Sequence, residues 1–321
     1  MAGSPAERSL AWSLCNEGAP GRAGVKGPIA VKPPPFHYHD PQGLDDALDL
    51  LAGLENAKVL AGGQSLVPML NMRFALPDHV VDINGIDSLA FVRENAPRIE
   101  IGAMTRQRDL ERSGLLQARC PLMVEALHQV GHRATRNRGT LGGSLCHLDP
   151  AAELPVVAAA LDATIHVKSK QGGRSVAMAD FPAFYMTPAI EPEELVTGID
   201  FEPWPEGHGH AFIEFARRHG DFAIVSAAAM LDLAPDKTIS RVSVTLGGVG
   251  TAPLRCHGVE DGLVGQVGSA TLFREAAETN RTIDAMDDVH ASSQYRQHLA
   301  TELTQRALGV AFERARERVP A

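Results

Sequence analysis

Two short stretches carry the residue types best suited to chemistry. Val59, Leu60, Ala61, Gly62, Gly63, Gln64, Ser65 and Leu66 run from apolar residues into a glycine pair and end on small polar ones. Thr140, Leu141, Gly142, Gly143 and Ser144 repeat that pattern further along. Glycine tolerates positive φ and has no Cβ to hold a ligand off the backbone. Successive exposed N–H groups in such a turn make a concave donor set that suits phosphate oxygens. One Gly-Gly turn is weak evidence, but two of them predict a pyrophosphate gripped between paired loops. Neither stretch continues into the Lys-Ser/Thr of a P-loop, and a GxGxxG fingerprint is missing, so no nicotinamide-binding Rossmann unit is expected.

Other polar residues cluster near the second stretch. Arg133, Arg136 and Arg138 lead into it. They read equally well as cations beside an anion site and as a solvated surface loop. Beyond it, Asp149 suits a helix N-cap and Pro150 the first helical position. Glu153 then reads either as part of a helix start or as a carboxylate that accepts hydrogen bonds from a ribose or a ring. His128 and His132 lie four apart, yet both fall largely off the apolar stripe and lack the Glu of HExxH, so a structural role outweighs metal ligation.

The whole chain narrows these options. Its 321 residues suffice for a large core and two domains. A formal net charge of −9 argues against a nucleic-acid partner. The four cysteines, Cys15, Cys120, Cys146 and Cys256, show no ligand spacing, so an iron–sulfur or zinc centre within the chain is not expected. Their low density suits a reducing compartment, and a cytoplasmic location is expected. No run reaches the length of a membrane span. Residues 1–29, rich in Gly, Ala and Pro, read as a flexible leader without a signal peptide.

The elements that must position the two stretches follow from periodicity. Residues 43–54 predict a helix with Leu44, Ala47, Leu48, Leu51 and Leu54 on one face. Residues 58–61 predict a strand feeding the first glycine loop, and Ser65 a cap for a helix over 66–73. Strands are expected at 79–83 and 98–104, a helix over 106–111 capped by Thr105, and a helix over 121–131. A hairpin over 164–178, a short helix over 179–185 and a strand over 194–201 complete a mixed α+β unit. Pro203, Pro205, Gly207 and Gly209 mark a linker, with the division placed after residue 205. The remainder, 206–321, predicts three strands (211–217, 223–233, 241–247) and helices over 269–280 and 292–318. In the last helix Tyr295, Leu299, Leu303, Ala307, Val310 and Ala311 form one stripe against a charged face. That charged face reads as solvated rather than as a docking surface.

Four segments now carry a resemblance. VLAGGQSLVPMLNMRFALPDHVVDINGI and GTLGGSLCHLDPAAELP resemble the two flavin motifs of the FAD-binding, or medium, subunit of the molybdenum hydroxylases. That family includes carbon monoxide dehydrogenase and xanthine dehydrogenase. FARRHGDFAIVSAAAMLDL and YRQHLATELTQRAL resemble its C-terminal domain. The resemblance implies a two-lobed fold of the p-cresol methylhydroxylase type over 30–205, with FAD in the cleft, followed by a small α+β domain. It implies FAD contacts at Val59 to Leu66, at Thr140 to Ser144, and at Gly131, Glu153 and Leu195. Relatives can have Asp in place of Glu153. No His or Cys matches a covalent flavin link, so the FAD is expected to be non-covalent.

The resemblance further implies an electron-transfer subunit. A large subunit would hold the molybdenum cofactor, a small one the [2Fe-2S] clusters, in a dimer of heterotrimers, and the FAD here would pass electrons to an external acceptor. The absence of cysteine clusters agrees with that division. Two other readings compete. A self-sufficient flavin oxidase or reductase would need an acid or base at the ring, for which Tyr185, His219 and Asp221 are the nominees. A nucleotide-binding scaffold would use the glycine loops for another phosphorylated ligand.

Overall fold

The computed structural model describes residues 31–318; the leader at 1–29 lies outside them. The first lobe contains β1 (His37–His39), α1 (Leu44–Gly53), β2 (Ala57–Leu60), α2 (Leu66–Asn71) and β3 (His79–Asp82). Its three strands are parallel in the order β1-β3-β2. The central strand is buried at Val80 and Val81, and α1 covers the sheet with Ala47, Leu48 and Leu51. All three strands end at the same edge, so the first glycine stretch, which leaves β2, emerges at the carboxyl end of a parallel sheet. Ligands of open α/β sheets bind at such edges.

The second lobe carries an antiparallel sheet in the order β4-β5-β10-β6-β7: β4 (Val92–Asn95), β5 (Arg98–Gly102), β6 (Thr164–Ser169), β7 (Gly172–Ala177) and β10 (Leu195–Phe201). Six helices lie between β5 and β6: α3 (Gln107–Arg112), α4 (Gly114–Arg119), α5 (Pro121–Gln129), α6 (Arg133–Arg138), α7 (Leu141–His147) and α8 (Glu153–Ala160). They share one apolar core with the sheet, including Ile99, Ile101, Leu127, Leu145, Val156 and Phe201. A small hairpin, β8 (Pro182–Phe184) with β9 (Thr187–Pro188), projects from this lobe.

The C-terminal part is an antiparallel sheet β11 (Gly209–Phe215), β12 (Val225–Leu233), β13 (Ile239–Gly247) and β14 (Leu254–Arg255), with α9 (His257–Asp261), α10 (Ala270–Ala277) and α11 (Ser293–Arg318). Strand β12 is apolar without alternation because both of its faces are covered. Ala227, Ala229 and Leu231 pack with Leu303 and Ala307 of α11, whereas Ala228 and Met230 join the core of the second lobe. The sheet is thereby bonded by burial to α5 and α8 on one side and to α11 on the other.

Several expectations are corrected here. The stretch at 140–144 is not a loop: it is the N-cap and first turn of α7, where Thr140 Oγ1 accepts from Gly143 N at 3.1 Å. The arginine segment is also helical, as α6. Thr105 does not cap α3, because its hydroxyl exchanges two hydrogen bonds with the Phe91 backbone. Asp149 does not cap α8; Oδ1 accepts from Ala151 N at 2.9 Å in a turn, and the helix begins at Glu153 with Ala152 as N-cap. Ser65 occupies the N-cap of α2 without a side-chain bond. Residues 179–185 form the end of a 3-10 turn (Met178–Asp180) and a strand instead of a helix, since Pro182 has no N–H to carry helical hydrogen bonding onward. The C-terminal sheet has a fourth strand, β14, whose two residues are too short to show any periodicity. In α11, Tyr295 and Val310 lie at the exposed rim of the stripe, while Leu299, Leu303, Ala307 and Ala311 are buried.

Candidate functional site

The two glycine stretches meet face to face. A Cβ on Gly62 would collide with the Arg138 carbonyl and lie 2.8 Å from Gly139 Cα. A Cβ on Gly143 would lie 3.6 Å from Ala61 Cβ. An open cleft of about 370 Å³ runs along this junction, lined by Leu60, Ala61, Gly62, Gly63, Gln64, Val67, Pro68 and Arg138.

The donors on the two sides differ. In the first stretch, Gly63 holds φ at +72°, and the Gly63 and Ser65 carbonyls accept from Val67 and Met69 as α2 begins. The amide N–H groups of Gly62, Gly63, Gln64, Ser65 and Leu66 find no protein acceptor among the described residues. They form the open nest expected for an anion. In the second stretch the amides are engaged. Leu141 N donates to Thr105 O at 3.1 Å, Gly142 N to Ala103 O at 2.8 Å, Gly143 N to Thr140 Oγ1, and Ser144 N to Thr140 O at 3.2 Å. Gly142 is buried, and a Cβ there would lie 2.6 Å from Ala103 Cβ. Its glycine serves close packing of α7 on the strand end, not an exposed cradle.

A polar chain ties the two stretches together. Asn84 Nδ2 donates to Ala61 O at 2.8 Å, and Asn84 is itself oriented by Asp82, which also accepts from Tyr38 Oη at 2.6 Å. Arg106 Nη2 donates to Asn84 Oδ1 and Nη1 to Arg138 O, both at 2.6 Å. The Arg106 backbone is bracketed by Gln107 N→Gly139 O at 2.9 Å and Leu141 N→Thr105 O. Burial, and after it the neighbouring Arg138 guanidinium, lowers the Arg106 pKa from its ordinary value, with Asp109 and Asp82 opposing.

These features fit a dinucleotide diphosphate: free amides on one wall, a cationic residue on the rim, and glycines where the walls approach most closely. The comparisons with known proteins agree. The family described as the FAD binding domain in molybdopterin dehydrogenase matches residues 34–204, and the CO dehydrogenase flavoprotein C-terminal domain matches 210–311.

The chain belongs to the FAD-binding medium subunits of the molybdenum hydroxylases.

This medium subunit is 40% identical over 288 residues to the 6-hydroxypseudooxynicotine dehydrogenase complex subunit alpha of Paenarthrobacter nicotinovorans, covering 89% of this chain and 97% of that one. It is 34% identical over 285 residues to the carbon monoxide dehydrogenase medium chain of Hydrogenophaga pseudoflava, covering 88% and 99%. The solved structure of quinoline 2-oxidoreductase from Pseudomonas putida 86 superposes with a TM-score of 0.84 at 33% identity, covering 90% of this chain and 100% of that chain. FAD is the cofactor of this class of subunit, and the family's molybdenum and [2Fe-2S] centres lie on partner subunits. No helix among the described residues is long and apolar enough to cross a membrane.

The remaining sequence-predicted residues of the medium subunit lie at varied positions. Gly131 takes φ +43° in the turn after α5, and Arg136 Nη1 holds that turn by donating to Val130 O at 2.9 Å and Gly131 O at 3.4 Å. Arg136 is also paired with Glu111 at 3.0 Å, so of the three arginines it is a clamp, while Arg133 is exposed and Arg138 lines the cleft. Glu153 is buried at the first position of α8, and its carboxyl is pushed up to about 8, mainly by burial, with Glu214 and Asp149 adding to the rise and Arg136 opposing it. Leu195 opens β10 and is buried with Ala47, Leu48 and Met104 in the core under the first lobe. His128 lies 3.7 Å from Glu111, and His132 packs under Gly220. The described residues hold no group of three or more His, Cys, Asp or Glu able to take a metal. Tyr185 is on the β8–β9 hairpin, and His219 and Asp221 lie in the exposed turn after β11; no hydrogen bond joins any two of them. Sequence reasoning missed Asn84 and Arg106. Both lie in the connections that follow strands β3 and β5, far in sequence from the glycine pairs they bridge, so no local signal marks them.

Proposed function

We propose that this subunit binds FAD without a covalent link, receives electrons from the [2Fe-2S] clusters of a small partner subunit, and passes them to an external acceptor. A large partner holding the molybdenum cofactor oxidises the substrate, in a cytoplasmic dimer of heterotrimers. The domain division is taken as 30–205 for the FAD-binding part and 206–321 for the C-terminal part. When bound, the flavin supplies one- and two-electron redox chemistry; the protein positions and tunes it.

The observation that carries this reading is the nest of five unengaged amides at Gly62 to Leu66, opening at the carboxyl edge of a parallel sheet against the second glycine stretch. In this reading Val59 to Leu66 take the diphosphate through backbone donors. Within Thr140 to Ser144 the contribution is surface, the Gly143 backbone against Ala61 and the partly exposed Ser144 side chain, since the amides of Leu141 to Ser144 are already bonded and the Thr140 side chain is buried as the cap of α7. Gly131, whose turn is held by Arg136, is assigned a backbone contact with the cofactor. Glu153 retains its proton at neutral pH and acts as a hydrogen-bond donor as well as an acceptor toward the cofactor, and Leu195 supplies apolar support. No side chain is assigned a general acid or base role toward substrate.

Isolating the complex from its native host and measuring its composition tests the proposal. The expected result is flavin, molybdenum and iron in a fixed ratio, with this chain and two others. A chain that is isolated alone, carries flavin and turns over a small substrate would instead select the self-sufficient oxidase.

A further inference from the structure

The structure brings two guanidinium groups to one side of the cleft, and neither enters an ion pair among the described residues: Arg106 is held by neutral acceptors and the Arg138 side chain by none. Arg106 spans the lobes: its two terminal nitrogens are committed to Asn84 Oδ1 in the first lobe and to the Arg138 carbonyl in the second, each at 2.6 Å. That same carbonyl is the atom against which Gly62 packs. Arg138 stands at the end of α6 and lines the cleft beside Gly62 and Gly63, and its side chain enters no ion pair among the described residues. Arg136, two residues earlier, is neutralised by Glu111. Two nearby like charges repel unless an anion lies between or beside them. A protein that keeps such a pair next to a row of open amides gains most when a dianion binds, because amides and guanidinium then act on the same oxygens.

We propose that Arg138 is a ligand of the cofactor's diphosphate, and that Arg106 is the positioning residue that fixes it by holding its carbonyl and latching the first lobe through Asn84. This deepens the FAD reading above and rests on it. It also splits the arginine segment into three roles: Arg133 solvated, Arg136 a clamp of the Gly131 turn, and Arg138 a ligand.

The test uses the full-length chain stripped of flavin and titrated with FAD at several KCl concentrations. Arg138→Gln should raise the dissociation constant about tenfold, the worth of one charge-assisted contact, and flatten its dependence on salt. Arg138→Lys should restore the salt dependence, and Arg133→Gln should match the wild type. Arg106→Gln should weaken binding in the wild-type background but add little in the Arg138→Gln background, a non-additivity that a purely structural loss would not produce. The apoprotein melting temperature of each variant is recorded alongside. Unchanged affinity and salt slope in Arg138→Gln, with wild-type flavin binding intact, overturns the assignment of Arg138 alone. Full additivity of the two substitutions overturns the positioning role of Arg106. A wild-type chain that takes up no FAD overturns the parent reading instead.

Discussion

The two glycine stretches look alike on paper and work differently in the fold. At Gly62-Gly63 the chain leaves a parallel strand, turns through positive φ, and exposes five amides to the cleft. At Gly142-Gly143 it enters a helix, and every amide from Leu141 to Ser144 is bonded within the protein. In the first case glycine leaves the backbone open to the cleft; in the second it lets a helix sit against a strand end at a distance no side chain would allow. The difference arises from what precedes each pair. Leu60 ends a strand at a sheet edge where no further strand continues, whereas Thr140 supplies a hydroxyl that caps the turn and starts α7.

The contrast predicts distinct failures for the two motifs. The largest effect is expected for Gly62→Val. Its new side chain overlaps the Arg138–Gly139 backbone, so the loop must lift from the second lobe, and FAD content per chain should fall to near zero even after reconstitution. Flavin retained at one per chain would break the account of the first motif. Next comes Gly142→Ala. The added methyl meets Ala103, and overpacking of this kind costs about 1–3 kcal/mol, read as a lower apoprotein melting temperature. An apoprotein of unchanged stability that loses only its affinity for FAD would make the second motif a cradle like the first.

A smaller effect belongs to the cap. Thr140→Ala removes the acceptor for Gly143 N and should cost about 1 kcal/mol in denaturant titration of the apoprotein. A null result would mean that α7 is held by tertiary packing alone. The subtlest test concerns Glu153. Its folded carboxyl holds its proton to about 8, against an ordinary value of 4.5. Between those values the folded state binds more protons than the unfolded state, so stability falls as pH rises through this window and levels off above it. Glu153→Gln should flatten that part of the pH–stability curve, leaving a residual slope from Glu214, which burial pushes up to about 7. An unaltered curve would show that Glu153 titrates normally.

Much of this was legible from residues. The face of α1, the hairpin of β6 and β7, and the strands β10 to β13 follow from periodicity because each buries one face or a full apolar run against a neighbour. Where a local signal competed with tertiary contact, reading failed. Thr105 and Asp149 have the chemistry of caps, but Phe91 and Ala151 claim their oxygens. The polar run RATRNR has no apolar stripe, and it is helical because Arg136 bonds back to the Val130 carbonyl and across to Glu111.

The sequence by itself determined the two-part α+β organisation, the family, and the presence of two side-chain-poor glycine segments, since these depend on composition, order and short-range geometry. Only the tertiary structure decided which segment keeps its amides free and which of three adjacent arginines reaches the cleft. It also decided that Asn84 and Arg106 bridge the lobes. Those outcomes depend on which donors and charges find partners from distant parts of the chain, and hydrogen-bond satisfaction is a property of the folded assembly of atoms, not of any local run of residues.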